Sequence, residues 1–584
     1  MYKVLKNLSK IDYIFIGLIV LLTLFQINFD LSLPDYMSDI TMLIQTEGSL
    51  INDILLAGFK MLLCALGSLI IAIIVAVLAS RIGSSFSYVT RSKVFNKVLS
   101  FSMSDVNKFS TSSLITRTTN DITQVQMLLI IGMQMLIKAP ITAIWAIHKI
   151  SNKSESWTML VGICVMILFI IVSICLSLAI PRFKRIQVLT DNINRITREN
   201  LDGLNVVRAY NAEEYQINKF EVGNKELTDV YVFTARTMSF LMPSIQMISN
   251  ALVLGVYIIG AILINDAIGL NKMELFSNMV VFTSYAMQII MSFMMLVMVF
   301  MNLPRASVSA KRINEVLEMD TLIKEGNREH GDNNHLGEVE FKNVSFKYPD
   351  AEDYIIKNVS FKANKGEVIA FIGSTGCGKS TIVNLVPRFY DVTEGEVFVN
   401  GYNVKEYKKN TLNNMIGYVS QKATLFTGTI KSNVMFGNNG LPDNINNLES
   451  SINTAQAIDF IDNLDDKFDS YVAQGGKNLS GGQKQRLSIA RAIYRDPKIF
   501  IFDDSFSALD YKTDKKLRYA LNETCKDTTR LIVGQRIGTI RDADKIIVLE
   551  DGIVVGIGKH KDLLNNCEIY KQIALSQLSE KELA

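Results

Sequence analysis

The chain of 584 residues has little cysteine, no excess of either charge and no basic tract, and each scarcity closes off a class of function. Its six cysteines, at 64, 164, 175, 377, 525 and 567, are scattered and three sit in apolar runs, so a disulfide framework is not expected. A formal net charge of +3, without basic residues interleaved with aromatics, gives no footprint for nucleic acid. The apolar run beginning near Tyr13 lacks a small-residue cleavage site, so it reads as a membrane span and not as a signal peptide. The length is too great for one ordinary domain and predicts roughly three or four.

What is present is divided unevenly. Before about residue 305 long runs of Leu, Ile, Val, Met and Phe dominate; after about 335 the composition is that of a soluble α/β protein. A bilayer core needs about 20 predominantly apolar residues per helix. Six stretches meet this, near 12–33, 55–79, 127–148, 157–180, 240–264 and 276–301. The polar segments 80–126 and 181–239 keep helical patterning, which predicts helices running well beyond the bilayer. Segment 80–126 holds Arg81, Arg91, Lys93, Lys97, Lys108 and Arg117, and 181–239 holds nine Lys or Arg. The stretch from Pro34 to Asp53 has neither, only Asp35, Asp39, Glu47 and Asp53. By the positive-inside rule both long segments, both termini and the C-terminal half are expected in the cytoplasm. The expected division is a transmembrane domain over 1–305, a linker over 306–336, a nucleotide-binding domain over 337–575 and a tail over 576–584. The fold class is thus a multidomain membrane protein: an all-α six-helix domain with long cytoplasmic extensions, then an α/β phosphate-loop domain.

In the second half, Val368-Ile369-Ala370-Phe371-Ile372 leads into Gly373-Ser374-Thr375-Gly376-Cys377-Gly378-Lys379-Ser380-Thr381. This is the strand–loop–helix setting that a nucleotide phosphate loop requires. Its glycines let backbone N–H groups wrap the phosphates, and the following helix aims its positive end at them. Lys379 is expected on the β- and γ-phosphates and the Ser380 hydroxyl on magnesium. Ile499-Phe500-Ile501-Phe502 reads as a buried strand with Asp503 at its end, placed to hold the same Mg2+.

About a hundred residues beyond the loop stands Leu479-Ser480-Gly481-Gly482-Gln483. With the phosphate loop it makes the second half resemble an ATP-binding cassette. In that family this signature completes the nucleotide site of a second cassette, Ser480 and backbone N–H groups facing the γ-phosphate. The resemblance further implies that Tyr348 stacks on adenine and that Gln421 senses magnesium. It makes Ser507-Ala508-Leu509-Asp510 the loop crossing between cassettes. Two positions depart from the pattern. Asp504 stands where the family usually has the Glu that positions or deprotonates water, and Gln535 where it has His. A carboxylate one methylene shorter falls about 1.5 Å short, and misplacement of that order costs around a hundredfold in rate. Gln535 cannot carry the charge or proton of an imidazole. The chain's own site is therefore expected to bind ATP and cleave it poorly, while its intact signature serves a partner.

The whole chain resembles one half of a bacterial heterodimeric multidrug exporter of the ATP-binding-cassette type. Leu114-Ile115-Thr116-Arg117-Thr118-Thr119-Asn120-Asp121 and the stretch from Arg198 to Tyr210 look like that family's intracellular extensions. The resemblance implies a second half-transporter as partner, ATP and Mg2+ as ligands, a bacterial cytoplasmic membrane and a small amphipathic substrate. A lipid or peptide exporter, a homodimer using Asp504, and a non-transporting channel or sensor stay open. Met287, Met291, Met294, Met298 and Met301 fall on one helical face, suited either to a pliable cavity or to lipid contact. Asp30 is expected to point into the cavity, favouring cationic amphiphiles, or toward the head groups. Lys138 and Lys60 are further cavity candidates. Pro140, Pro181 and Pro243 are expected to kink or end their helices.

Overall fold

Six helices long and apolar enough to cross a membrane account for most of the first 317 residues of this computed structural model. The structure describes residues 2–46, 48–151, 155–267, 270–349, 351–437, 442 and 444–578. Glu47 and the tail from 579 lie outside them. After a helical turn α1 (Tyr2–Leu5) come α2 (Lys10–Gln45) and α3 (Ile51–Ser100). Short helices α4 (Met103–Asn107) and α5 (Thr111–Thr118) precede α6 (Asn120–Ser151) and α7 (Glu155–Asp202). Then follow α8 (Leu204–Ala209), α9 (Glu213–Ser239), α10 (Leu241–Asp266) and α11 (Leu270–Leu317). With 50 residues, α3 extends about 75 Å, more than twice the apolar thickness of a bilayer. Helix α7, with 48 residues, is nearly as long.

Several expectations shift. Pro34 does not open an outer loop: α2 continues to Gln45 and the loop shrinks to a few residues. Pro140 and Pro181 lie inside α6 and α7, which run through them. Pro243 occupies the first turn of α10, where a missing N–H leaves no helical bond unmade. Helix α11 runs on through residues 306–317, the first part of the segment expected as linker.

The chain divides into two compact units: Met1–Leu99 with Thr111–Met319, and Ser100–Ser110 with Asp320–Ala584. In the first, Arg117 and Asp121 both serve α11. Arg117 donates to the Arg312 carbonyl and pairs with Glu315, each at 2.8 Å, and Asp121 accepts from Ser309 at 2.8 Å. The Arg198–Tyr210 stretch closes α7 and forms α8, with Val206 and Tyr210 exposed.

The second unit is built on two larger sheets, with a further two-stranded pairing of Gly428–Thr429 and Tyr471–Val472. An antiparallel one orders β2 (Ile356–Ala363), β1 (Val339–Phe346), β4 (Glu394–Val399) and β5 (Tyr402–Asn403). The other contains β3 (Val368–Gly373), β6 (Ile416–Val419), β7 (Ile499–Asp503), β8 (Thr529–Val533), β9 (Lys545–Glu550) and β10 (Ile553–Gly558), in the order β10-β9-β3-β8-β7-β6. Strands β9, β3, β8, β7 and β6 are parallel neighbours. Every residue of β7 and β8 is buried, as continuous apolar runs in a covered parallel sheet must be. Helix α12 (Lys379–Leu385) follows β3, while α13 (Ile445–Thr454), α14 (Gly481–Tyr494) and α15 (Tyr511–Thr524) join a separate apolar cluster. Before β1 the chain is strapped to this unit: Gly326 N–H donates to Tyr407 O, and Arg328 and Lys408 exchange with Glu406 and Arg328 along a short parallel bridge.

Candidate functional site

Parallel strands carry their connections to one edge, and the chemistry collects at that carboxyl edge. Register sets Phe371 beside Val533 and Val533 beside Asp503, with Val419 beside Phe502. The loops leaving β3, β8, β7 and β6 therefore emerge at one level, carrying the phosphate loop, Gln535, Asp503-Asp504 and Gln421.

The phosphate loop runs from Gly373 to the start of α12. Gly376 and Gly378 have φ of +89° and +96°, a region costly for side chains. A Cβ at Gly376 would meet nothing within 4 Å, so the rim of the cradle is open. Lys379 is buried and folds back into the loop, its Nζ donating to Gly373 O at 2.8 Å and Ser374 O at 2.7 Å. These two carbonyl oxygens occupy the ammonium's donor positions that phosphate oxygens would take. Cys377, also buried, places its Sγ 3.6 Å from the same nitrogen. At the first turn of α12, Ser380 Oγ donates to Asp503 Oδ1 at 2.6 Å. Thr381, next along, shares a 3.2 Å hydrogen bond with the Tyr348 hydroxyl.

Burial pushes the Asp503 carboxyl above its ordinary pKa, with the Asp504 charge adding to it and the Ser380 hydrogen bond opposing. A desolvated carboxylate beside a hydroxyl, in a cradle of N–H groups, fits a magnesium ion bridging to phosphate. Among the described residues no three His, Cys, Asp or Glu side chains gather as a metal cage. Mg2+ takes one or two protein ligands and otherwise phosphate oxygens and water, so Ser380 and Asp503 could serve as its protein ligands.

Asp504 is buried at a φ of +48°, a left-handed position that aspartate tolerates better than most residues. Burial raises its pKa as well, against hydrogen bonds from Gln421 and Ser507. Gln421 Nε2 at 3.2 Å and Gln535 Nε2 at 2.8 Å both donate to the same oxygen, Oδ2. The carboxylate is thus tied down by the very amides that flank it. The structure brings Gln421, Asp504 and Gln535 together as one triad.

The signature lies elsewhere in the unit. Leu479 packs into the helical cluster that holds α14, while Ser480 and Gly481 are exposed. Ser480 caps α14 reciprocally with Gln483: Ser480 N–H donates to Gln483 Oε1 at 2.8 Å, and Gln483 N–H to Ser480 Oγ at 3.3 Å. The backbone N–H groups of Gly481 and Gly482 therefore stand at the positive end of a 14-residue helix, with Gly481 exposed and Gly482 partly covered. A Cβ on Gly482 would come 3.4 Å from Ala508 O, so signature and crossing loop touch. Ser507 Oγ donates back to Asp504 O at 2.8 Å, Leu509 is buried, and Asp510 caps α15 through Thr513 N–H.

In the transmembrane unit Asp30 and Lys138 form an ion pair at 2.9 Å. Ser68 hydrogen-bonds the same carboxylate, and Gln288 donates to the Asp30 carbonyl at 3.2 Å. The carboxylate is thus paired and hydrogen-bonded among these helices. Met287, Met291, Met298 and Met301 are exposed on α11, whereas Met294 packs into the helix core. Lys60 lines a cleft of about 380 Å3 between α2 and α3 with Asp39 and Asp53. A residue with no sequence signal is Tyr390. It packs edge-on against Tyr348, centroids 5.2 Å apart at 88°.

Comparison with known proteins gives the family. A family described as ABC transporter matches residues 356–507, and the ABC transporter transmembrane region matches residues 14–293. The chain is 36% identical over 519 residues to an uncharacterised ABC transporter ATP-binding protein of Mycobacterium bovis, covering 88% of this chain and 86% of that one. It is 29% identical over 492 residues to the ATP-dependent lipid A-core flippase of Pseudomonas aeruginosa, covering 84% and 80%. A solved bacterial Atm1-family ABC exporter with ATP bound shares the fold at a TM-score of 0.82 and 22% identity, covering 97% of this chain and 98% of that one.

Proposed function

Because the chain belongs to the ABC transporter family, with transmembrane region and ATP-binding domain in one polypeptide, we propose that it is half of an ATP-driven exporter. It serves as the slow-hydrolysing member of a heterodimer in a bacterial cytoplasmic membrane. Its long extensions, both termini and the ATP-binding unit face the cytoplasm, as the loop charges favour. Lys379 and the phosphate-loop N–H groups hold the β- and γ-phosphates; Ser380 and Asp503 hold Mg2+; Tyr348 stacks on adenine. Bound ATP supplies the phosphoryl group whose hydrolysis resets the cycle. Closure of the paired cassettes must be favoured by ATP by several kcal/mol to turn the cavity from inward- to outward-facing.

One observation carries the asymmetry. Asp504, short by a methylene, is hydrogen-bonded on one oxygen by both Gln421 and Gln535, which leaves it poorly disposed to align water. Ser480, by contrast, stands exposed at a capped helix end, ready for a partner's nucleotide. The test is ATP turnover by the purified pair. Asp504→Ala is expected to leave most of the activity. Ser480→Gly keeps a tolerated N-cap at a cost of only a few tenths of a kcal/mol, yet should cut turnover by about tenfold or more. Equal losses, or brisk turnover by the isolated chain, would favour a homodimer relying on Asp504. The substrate is amphipathic. A lipid is the second reading, supported by the relative from Pseudomonas aeruginosa, which flips a lipid A core.

A further inference from the structure

Gln535 reaches Asp504 from a short exposed loop. After β8 the chain passes Gly534, whose N–H donates to Phe371 O at 3.1 Å, and then Gln535 and Arg536, both exposed. Ile537 opens a four-residue helix that ends at Ile540, and Arg536 ahead of it supplies no side-chain cap. The first N–H groups of a helix have no partner within it. Here one partner comes from the other end of the unit. Gln577 Oε1 accepts from Ile537 N–H at 2.9 Å, and Gln577 Nε2 donates to Gln535 O at 2.8 Å. A single side-chain amide therefore brackets Arg536, whose guanidinium in turn donates to Ser507 O at 3.4 Å.

The bracket is itself anchored. Gln577 follows the helix Glu568–Leu575, in which Tyr570 and Ala574 are buried. Both belong to the apolar cluster that holds Ile537, Ile540 and Ile372 of β3, and Leu578 packs against the same cluster. Gln577 N–H and Leu578 N–H donate to Ala574 O at 3.1 and 3.0 Å, which closes the end of that helix. The amide is exposed, but the backbone that carries it is fixed on both sides. Its two bonds need a donor and an acceptor on one side chain. Glutamate would offer acceptors alone and set a carboxylate oxygen against the Gln535 carbonyl. Methionine, of the same length, offers no donor.

We infer that Gln577 is a positioning residue for this chain's own ATP site: its amide fixes the backbone of Gln535 and so the direction of the Gln535 side chain. The inference rests on the reading of that site under the proposed function. The Gln535 amide donates to Asp504 Oδ2 at 2.8 Å. A γ-phosphate brought beside Asp503 offers the same donor a more highly charged acceptor, and ADP lacks it. Gln577 thereby sets how well the site distinguishes ATP from ADP.

The test uses the full chain with its partner, an affinity tag being placed at the N-terminus of this chain. Radiolabelled 8-azido-ATP is crosslinked on ice with Mg2+, this chain is separated from its partner, and unlabelled ATP and ADP compete for the label. The parent is expected to prefer ATP. Gln577→Met should weaken competition by ATP about fivefold, less than the loss of a whole hydrogen bond to a charged group because Gln535 is misplaced and not removed. Competition by ADP should not change. Gln577→Glu should match Gln577→Met, since it caps Ile537 but cannot hold the Gln535 carbonyl. Gln535→Ala should lose at least as much, and adding Gln577→Met to it should lose nothing more. Failure of the parent to label overturns the proposed function and the positioning role together. Labelling with parental ATP preference in either Gln577 variant, equal losses for ATP and ADP, or losses that multiply in the double variant would overturn the positioning role alone.

Discussion

Asp503 and Asp504 face opposite demands. Each is buried in a parallel sheet edge and each titrates above the ordinary carboxylate range because burial disfavours its charge. A carboxyl whose folded pKa is raised contributes stability while protonated, and that contribution is lost as pH rises through the folded value. Where Asp503 is ionised its burial is therefore a cost, one that Mg2+ would offset on the proposed function. Asp503→Asn should raise the melting temperature of the nucleotide-free protein at pH 7, with the gain shrinking toward acid pH. The stabilisation normally added by Mg-ATP should vanish. A lowered melting temperature without nucleotide would show the carboxylate to be structural. At this scale the phosphate loop and Asp503 stand out in the sequence, because phosphate chemistry demands those residue types at fixed spacing, and Asp504 and Gln535 stand out as departures from the pattern the chain resembles. That Gln421 and Gln535 converge on a single oxygen of Asp504 is not legible, since it depends on three strands sharing one level. Tyr390 is invisible for the same reason: its ring partner Tyr348 lies 42 positions away.

Among elements, the apolar helices were legible by length alone, while their ends were not. Pro34 reads as a breaker, yet in a membrane helix a lost N–H bond is tolerated where neighbouring groups make it good, and α2 continues past it. On α11 Met287, Met291, Met298 and Met301 are exposed, while Met294 is partly buried against the helix core. The pairing of Asp30 with Lys138 reaches from α2 to α6, with Ser68 of α3 and Gln288 of α11 around it. Four helices meet there, and the pair acts as their tie. Breaking it by Asp30→Asn or Lys138→Met should cost about 1 kcal/mol of stability in detergent, the scale of interhelical polar contacts in membranes. The reversed pair, Asp30→Lys with Lys138→Asp, should recover most of that. Efflux of cationic dyes should follow stability and not the sign of the residue at 30. Selective loss of cationic cargo in Asp30→Asn, with stability intact, would return the carboxylate to the cavity.

For the whole molecule, the chain order and the division into bodies disagree. The composition break near 305–335 marks the change of solvent. It carries no sign that residues 100–110 belong with the ATP-binding unit, since that allegiance is made by contacts such as Asp105 with Leu322 and not by any local pattern. Cut free at residue 320, the soluble half would come away with an uncovered seat where this eleven-residue loop had rested. A synthetic peptide spanning 100–110 should raise the melting temperature of that fragment by about 2–4 °C for each kcal/mol of docking, and a scrambled peptide should not. Dissection of this protein into a catalytic piece and a membrane piece would accordingly sever a joint that the folded chain keeps within one body, and kinetics measured on such a fragment would describe an engine with its crankshaft removed.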